Sequence, residues 1–194
     1  MEELFAALKE LYAGHDSDMA KRLPKLIESV EKSGPILQPA WLDTCELLTN
    51  IHDTGDDPLL TLVLKQAEHL HWRRAVNGKL PPALSSSLAA VEFIGPTGIY
   101  RSDEGKIGFY LQAPNVYYPS HWHPAEELYY ILHGTSGWAV DDKELVEKTR
   151  QSFVHHKSMQ PHTMESWAEP VLAIWAWHGD ISVDGYRISE HSSS

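Results

Sequence analysis

Apolar residues repeat along this chain with two different periods. From Met1 to about Gly78 the spacing is helical: Leu4, Phe5, Leu8, Leu11 and Tyr12 follow the i, i+3, i+4, i+7 rule of an amphipathic helix. Asp16 or Ser17 caps a second predicted helix through Leu23, Ile27 and Val30, which Gly34-Pro35 ends. Pro39 opens a third, with Trp41, Leu42, Cys45, Leu48 and Ile51 on one side. Asp57-Pro58 starts a fourth, with Leu60, Leu64, Ala67 and Leu70 inward, stopping at Asn77-Gly78. Beyond the linker Lys79-Leu80-Pro81-Pro82 the period shortens. Runs rich in β-branched and aromatic residues alternate with turn residues over Ala90–Ile94, Ile107–Leu111, Glu127–His133, Ser136–Val140, Glu144–Glu147, Ser152–His155 and Val171–Trp177. That rhythm predicts antiparallel strands in a sandwich or barrel. The chain therefore reads as mainly β, with a helical extension over residues 1–80 ahead of a β-barrel over residues 81–194, and a frayed tail at Ser192–Ser194.

Composition narrows the function. The net charge is −11, which argues against nucleic acid as a partner, since phosphate binding needs clustered Lys and Arg. No apolar run approaches the roughly 20 residues of a membrane span. MEELFAALKELYAGHD begins with acidic residues and lacks the basic start of a signal peptide, so a cytoplasmic protein is expected. Cys45 is the only cysteine and falls on the apolar side of its predicted helix, where it reads as a core residue.

The chemistry concentrates in HWHPAEELYYILHG, residues 121–134. His121 and His123, two apart on an extended strand, point to one face, and Glu127, Tyr129, Ile131 and His133 share a face of the next strand. A bend at Pro124-Ala125 would turn both sets toward one interior. Imidazole and carboxylate suit a divalent iron, zinc, manganese or nickel ion, with His162, after Pro161, as the candidate ligand from a distant strand. His133, just before Gly134, reads as a turn or supporting residue. His155-His156 beside Lys157 reads as a solvated loop, and His52, His69 and His71 as helix residues without a chemical role. Tyr118, Trp175 and Trp177 would put aromatic walls near the metal. Such walls suit a small cation better than a sugar phosphate, which would want Arg and Lys.

His121-x-His123-x3-Glu127-x6-Gly134 resembles the first motif of the cupin superfamily, and Pro161-His162 stands where the second motif supplies its histidine. That second motif departs from the family pattern, because Met159-Gln160-Pro161-His162 replaces PxGxxH. The resemblance spans roughly Ser87 to Ile188 and implies a double-stranded β-helix with a metal inside. The helical extension, YYPSHWHPAEELYYILHG and the late WAWHGD together resemble the cupin-type dimethylsulfoniopropionate lyases of the DddQ group. That resemblance implies ligands at His123, Glu127 and His162, a metal-adjacent tyrosine at Tyr129, and substrate-side residues at Tyr118 and Trp177. The lyase pattern leaves His121 open as a ligand, whereas the general cupin motif includes it. The superfamily's habit of pairing makes a homodimer an expectation.

The implied substrate is a zwitterion with a sulfonium at one end and a carboxylate at the other, cleaved to dimethyl sulfide and acrylate by β-elimination. Tyr129, whose ordinary pKa of about 10 a nearby cation would lower, is the expected base. Tyr118, Trp175 and Trp177 would shape the sulfonium pocket. Two other functions compete: an iron-dependent dioxygenase on the same barrel, and a non-enzymatic ligand- or zinc-sensing cupin. The dioxygenase would need oxygen. The sensor would leave an apolar face of the first helices uncovered for a partner.

Overall fold

Two sheets, antiparallel except for the short parallel β1–β2 pair at the edge of the larger, face each other across a closed interior, and a layer of helices covers the outside of the larger one. The computed structural model describes residues 1–30, 37–53, 55–141 and 143–189. Among the described residues four α-helices, α1 (Glu2–Ala13), α2 (Leu23–Ser29), α3 (Pro58–Gln66) and α4 (Pro82–Ser86), precede the strands. The strands are β1 (Leu88–Gly95), β2 (Tyr100–Arg101), β3 (Gly105–Gln112), β4 (Tyr117–Trp122), β5 (Ala125–His133), β6 (Ser136–Val140), β7 (Val146–Lys148), β8 (Phe153–His156), β9 (His162–Ser166), β10 (Val171–Gly179) and β11 (Arg187–Ile188). One sheet runs β2-β1-β3-β10-β5-β8 and the other β11-β4-β9-β6-β7, the jelly-roll order of a cupin barrel. Among the described residues no helix is long and apolar enough to cross a membrane.

Alternation along the strands builds two cores. Outward residues of the larger sheet, among them Val91, Phe93, Phe109, Leu128, Leu132, Leu172 and Ile174, join Leu4, Leu8, Tyr12, Leu23, Leu60 and Val63 of the helices in one buried cluster. Their inward neighbours Ala90, Tyr110, Tyr129, Ile131 and Ala173 meet Tyr118, Trp138 and Met164 of the smaller sheet in a second. With both faces covered, β1 and β3 are buried along their whole length. The apolar stripe of α1 is part of this packing: Leu4, Leu8 and Tyr12 are buried, and Phe5 packs tilted against Phe93 and edge-on to Tyr100. The uncovered helical face that a sensor would present is therefore not found on α1.

The helical half departs from the sequence expectation in three places. The second helix ends at Ser29, and the expected stop at Gly34-Pro35 lies outside the described residues, as does Ser192–Ser194. The third is not an α-helix opened by Pro39 but a 3-10 stretch over Asp43–Asn50. Its first residues are drawn away, because Ala40 bonds both ways with the chain near His71: Ala40 N donates to Leu70 O (3.1 Å) and Trp72 N to Ala40 O (3.0 Å). The fourth stops at Gln66 with a short 3-10 turn to His69, because the chain beyond turns extended. Arg73 and Ala90 exchange two backbone bonds of 2.9 Å, tying this segment to β1. Consequently His69 lies on the 3-10 turn, His71 in the Ala40 bridge and His52 beyond Asn50, none of them on an α-helix.

Asp57 joins the two layers. Its Oδ1 accepts from Leu59 N (3.0 Å) and Leu60 N (3.4 Å) at the start of α3, and its Oδ2 accepts the Tyr130 hydroxyl (3.2 Å) from β5. Burial and this carboxylate push the Tyr130 hydroxyl up to about 12. Asp57→Ala removes the helix cap and strands a buried hydroxyl, so it should cost about 1–3 kcal/mol in urea unfolding. Tyr130→Phe, which leaves the cap intact, should cost less; equal losses would show that the cap contributes nothing.

Candidate metal centre

Three strands bring the imidazoles and carboxylates together. β4 delivers His121 and the short turn after it His123; β5 delivers Glu127 and Tyr129; β9 opens with His162, paired in register with His121. All five are buried. One ligand atom each from His123, Glu127 and His162 lies within 4.8 Å of the other two, the one such grouping among the described residues. His123 Nε2 is 3.2 Å and His162 Nε2 3.5 Å from the same oxygen, Glu127 Oε2.

The far side of each ring decides what that proximity means. His123 Nδ1 faces Ala125 O (3.0 Å), His162 Nδ1 faces Gln160 O (2.8 Å) and His121 Nδ1 faces Pro119 O (2.8 Å). A carbonyl only accepts, so each Nδ1 must carry the hydrogen. In a neutral ring the Nε2 is then a bare lone pair. Two such lone pairs turned on a carboxylate oxygen repel unless a cation lies among them. His162 Nε2 has no hydrogen-bond partner among the described residues. Nitrogen, nitrogen and carboxylate oxygen, each oriented by an outer hydrogen bond, suit a divalent transition metal. The residues present fit such an ion.

Burial alone would raise the Glu127 carboxyl, but positive charge at the His123 and His162 positions outweighs it and holds the carboxyl well below the usual carboxylate range; an ion among the three would supply that positive charge with both rings neutral. Glu127 therefore stays ionised. Burial, and then His162, hold His121 well below its ordinary value, so it stays neutral. His121 stacks flat on Tyr118 (4.1 Å) and edge-on to His162 (4.0 Å), within the site but outside the three-residue grouping.

A pocket opens beside these ligands, with room of about 80 Å³ for the centres of water-sized molecules. Tyr118, His121, His123, Glu127, Tyr129, Trp175 and Trp177 line it; His162 stands behind. Burial first, then the nearby Glu127 carboxylate, hold the Tyr129 hydroxyl well above the ordinary value. Trp177 donates its indole N–H to Glu127 Oε1 at 2.6 Å. Its ring tilts over His123 at 4.4 Å on one contact and meets the Lys106 ammonium at 5.2 Å on another. Trp175 is half-buried and donates to Phe109 O (3.2 Å).

Several wall residues were not singled out in the sequence. Glu92, Lys106 and Tyr110 point inward by the alternation of β1 and β3, a signal present in the sequence. Arg73 and Arg74 reach the pocket only because their segment bridges to β1, and Tyr186 arrives beside β11 with its hydroxyl 2.5 Å from that of Tyr118. The wall is thus more basic than the aromatic residues alone suggested.

His155-His156 is a correction. These residues end β8 instead of forming a solvated loop, and strand alternation sends them opposite ways. His155 points out, 2.8 Å from Glu126. His156 pairs in register with Glu127, is fully buried, and stacks on His162 at 3.9 Å and 15°. His133 is half-buried at the end of β5, away from the ligands.

Comparison with known proteins follows the same lines. A family model described as dimethylsulfoniopropionate lyase matches residues 18–173. The dimethylsulfoniopropionate lyase DddQ of Ruegeria pomeroyi is 30% identical over 111 residues, covering 57% of this chain and 55% of that protein. The putative dimethylsulfoniopropionate lyase DddL of Cereibacter sphaeroides is 29% identical over 127 residues, covering 63% of this chain and 53% of that protein. The matched stretches thus span about half the length of these curated relatives. The crystal structure of DddQ from Ruegeria pomeroyi superposes with a TM-score of 0.76 at 21% identity, covering 97% of this chain and 99% of that one. A structure described as the lyases RdDddP and RnDddQII gives 0.80 at 19%, covering 97% of each chain. At those identities the two structures establish the fold.

The indole–carboxylate contact is testable here. Trp177→Phe keeps the ring against His123 and removes the N–H that orients Glu127. We expect zinc affinity, read by chelator competition, to fall about 10–100-fold. Unchanged affinity would mean that Trp177 does not position Glu127.

Proposed function

The chain belongs to the dimethylsulfoniopropionate lyase family, and on that premise we propose that it is a metal-dependent carbon–sulfur lyase, releasing dimethyl sulfide and acrylate from dimethylsulfoniopropionate. The observation that carries the proposal is the meeting of His123, Glu127 and His162 beside an aromatic pocket that His123, Glu127 and Tyr129 line. His123, Glu127 and His162 would hold an iron, zinc, manganese or nickel ion, with His121 and Tyr129 facing the same space. Lone-pair geometry does not choose among these metals.

The difficulty in the reaction is the proton next to a carboxylate, because removing it places more negative charge beside one already present. When bound, the divalent cation supplies positive charge that stabilises the charge developing on the carboxylate and offsets the pull of Glu127 on the Tyr129 proton. Tyr129, its own proton already lost to solvent, acts as base in the phenolate form and takes the substrate proton, becoming the phenol. The C–H pair becomes the second bond of the alkene, and the C–S pair leaves with sulfur. The aromatic wall of Tyr118, Trp175 and Trp177 excludes water and packs against the sulfonium methyls. A pocket that is buried on its ligand side favours this chemistry, since the same charges act more strongly out of water.

The test is headspace analysis of dimethyl sulfide over the metal-loaded protein, run without oxygen. The parent should release sulfide, and Tyr129→Phe should lose at least about 100-fold of that rate while keeping its metal. Near-parent activity in Tyr129→Phe would remove Tyr129 as base. No sulfide from the parent with any of the four metals would remove the lyase reading and leave the oxygen-requiring and sensing alternatives.

A further inference from the structure

Three cations gather at the pocket of a chain whose net charge is −11: Arg73, Arg74 and Lys106. Two are directed elsewhere. Arg73 pairs with Glu92 Oε2 at 2.6 Å, while Glu92 Oε1 takes the Thr97 backbone N–H (2.7 Å) and hydroxyl (3.0 Å). Arg74 donates to the Ser85 carbonyl at 3.0 Å.

Lys106 differs. Its residue is only 8% exposed, and its ammonium lies 3.9 Å from the Glu92 oxygen that Arg73 already holds. It sits 5.2 Å from the Trp177 ring, on the aromatic surface that a cationic ligand would use. Register explains the placement: Lys106 pairs with Trp177 and Trp177 with Glu127, so one row runs from the ammonium to the ligand carboxylate. Burial, only partly opposed by Glu92, lowers Lys106 below the ordinary lysine value, as expected of a cation whose charge is incompletely met.

On the lyase reading, a sulfonium packed against the Trp177 ring would lie beside that fixed charge. During elimination the Tyr129 phenolate takes the proton, the C–H pair forms the alkene bond and the C–S pair departs with sulfur, which changes from cation to neutral dimethyl sulfide. Repulsion from a neighbouring ammonium is therefore greatest in the bound substrate and fades as the C–S bond breaks. We propose that Lys106 speeds C–S cleavage by destabilising the bound sulfonium relative to the transition state. The inference rests on the lyase reading above.

Such a role has a kinetic signature opposite to that of a binding residue, because removing ground-state repulsion improves binding while slowing turnover. The experiment measures steady-state dimethyl sulfide release by the metal-loaded full chain. Alongside it runs inhibition by 4-methylpentanoate, which places a neutral CH where the substrate has its sulfonium. For Lys106→Met, kcat should fall about tenfold and KM should fall several-fold. The inhibition constant for 4-methylpentanoate should stay level or rise, with metal content unchanged. Lys106→Arg, restoring the charge, should bring kcat and KM back toward the parent values. Should Lys106→Met fail to fold, Lys106→Gln carries the same comparison. KM and the inhibition constant rising together would make Lys106 a carboxylate-binding residue and overturn the proposal; unchanged constants would make it a spectator and do the same. A parent that releases no dimethyl sulfide would sink the lyase reading, and this inference with it. A productive parent with the wrong Lys106 response would sink this inference alone.

Discussion

Two imidazole lone pairs and a carboxylate oxygen turned toward one another inside a protein repel, and the fold holds them there. Backbone carbonyls at Ala125 and Gln160 fix the hydrogens of His123 and His162 on the far side of each ring. The indole of Trp177 fixes the other Glu127 oxygen. A cation relieves that repulsion directly, and every other feature of the site is arranged around that point. Tyr129 lines the same pocket as that carboxylate, Tyr118 stacks on the adjoining His121, and His156 covers the outer face of His162.

The helical layer contributes to this arrangement although it supplies none of the proposed ligands. It buries the outward residues of β3, β5 and β10, so the strands carrying Lys106, Glu127, Tyr129 and Trp177 are packed on both faces. Rotamers on a doubly buried strand have little room to relax, which is what an oriented site requires. The same layer sends Arg73 and Arg74 to the pocket through the bridge to Ala90. Pocket polarity is therefore set jointly by barrel and extension.

Much of the barrel was legible because alternation is a local signal. Ser136–Val140 was read with both ends in place, and the strands around Ile107, Glu127 and Val171 differed mainly by extra residues at their ends. The short β2 and β11 carry too few residues to show a period. The Pro39 stretch failed for another reason. A proline followed by helically spaced apolar residues looks like a helix start, and only the long-range pairing of Ala40 with the chain near Leu70 overrides it. At the site, His121, His123, Glu127 and Tyr129 were legible as a cluster because they are neighbours in sequence. His156 was missed by a single residue: the predicted strand stopped at His155, and one more step of alternation would have turned it inward beside Glu127. Arg73, Arg74 and Tyr186 had no local signal at all, since tertiary pairing alone brings them in.

Every role assigned to these side chains depends on their holding a cation. X-ray absorption at the metal edge of the zinc-loaded protein tests this most directly, because imidazole rings leave an outer-shell scattering pattern that oxygen ligands do not. The account predicts one tightly bound ion per chain, with nitrogen and oxygen neighbours at about 2.0–2.2 Å and at least two imidazoles. A metal that stays loosely bound, or one surrounded by oxygen with no imidazole signature, would contradict it.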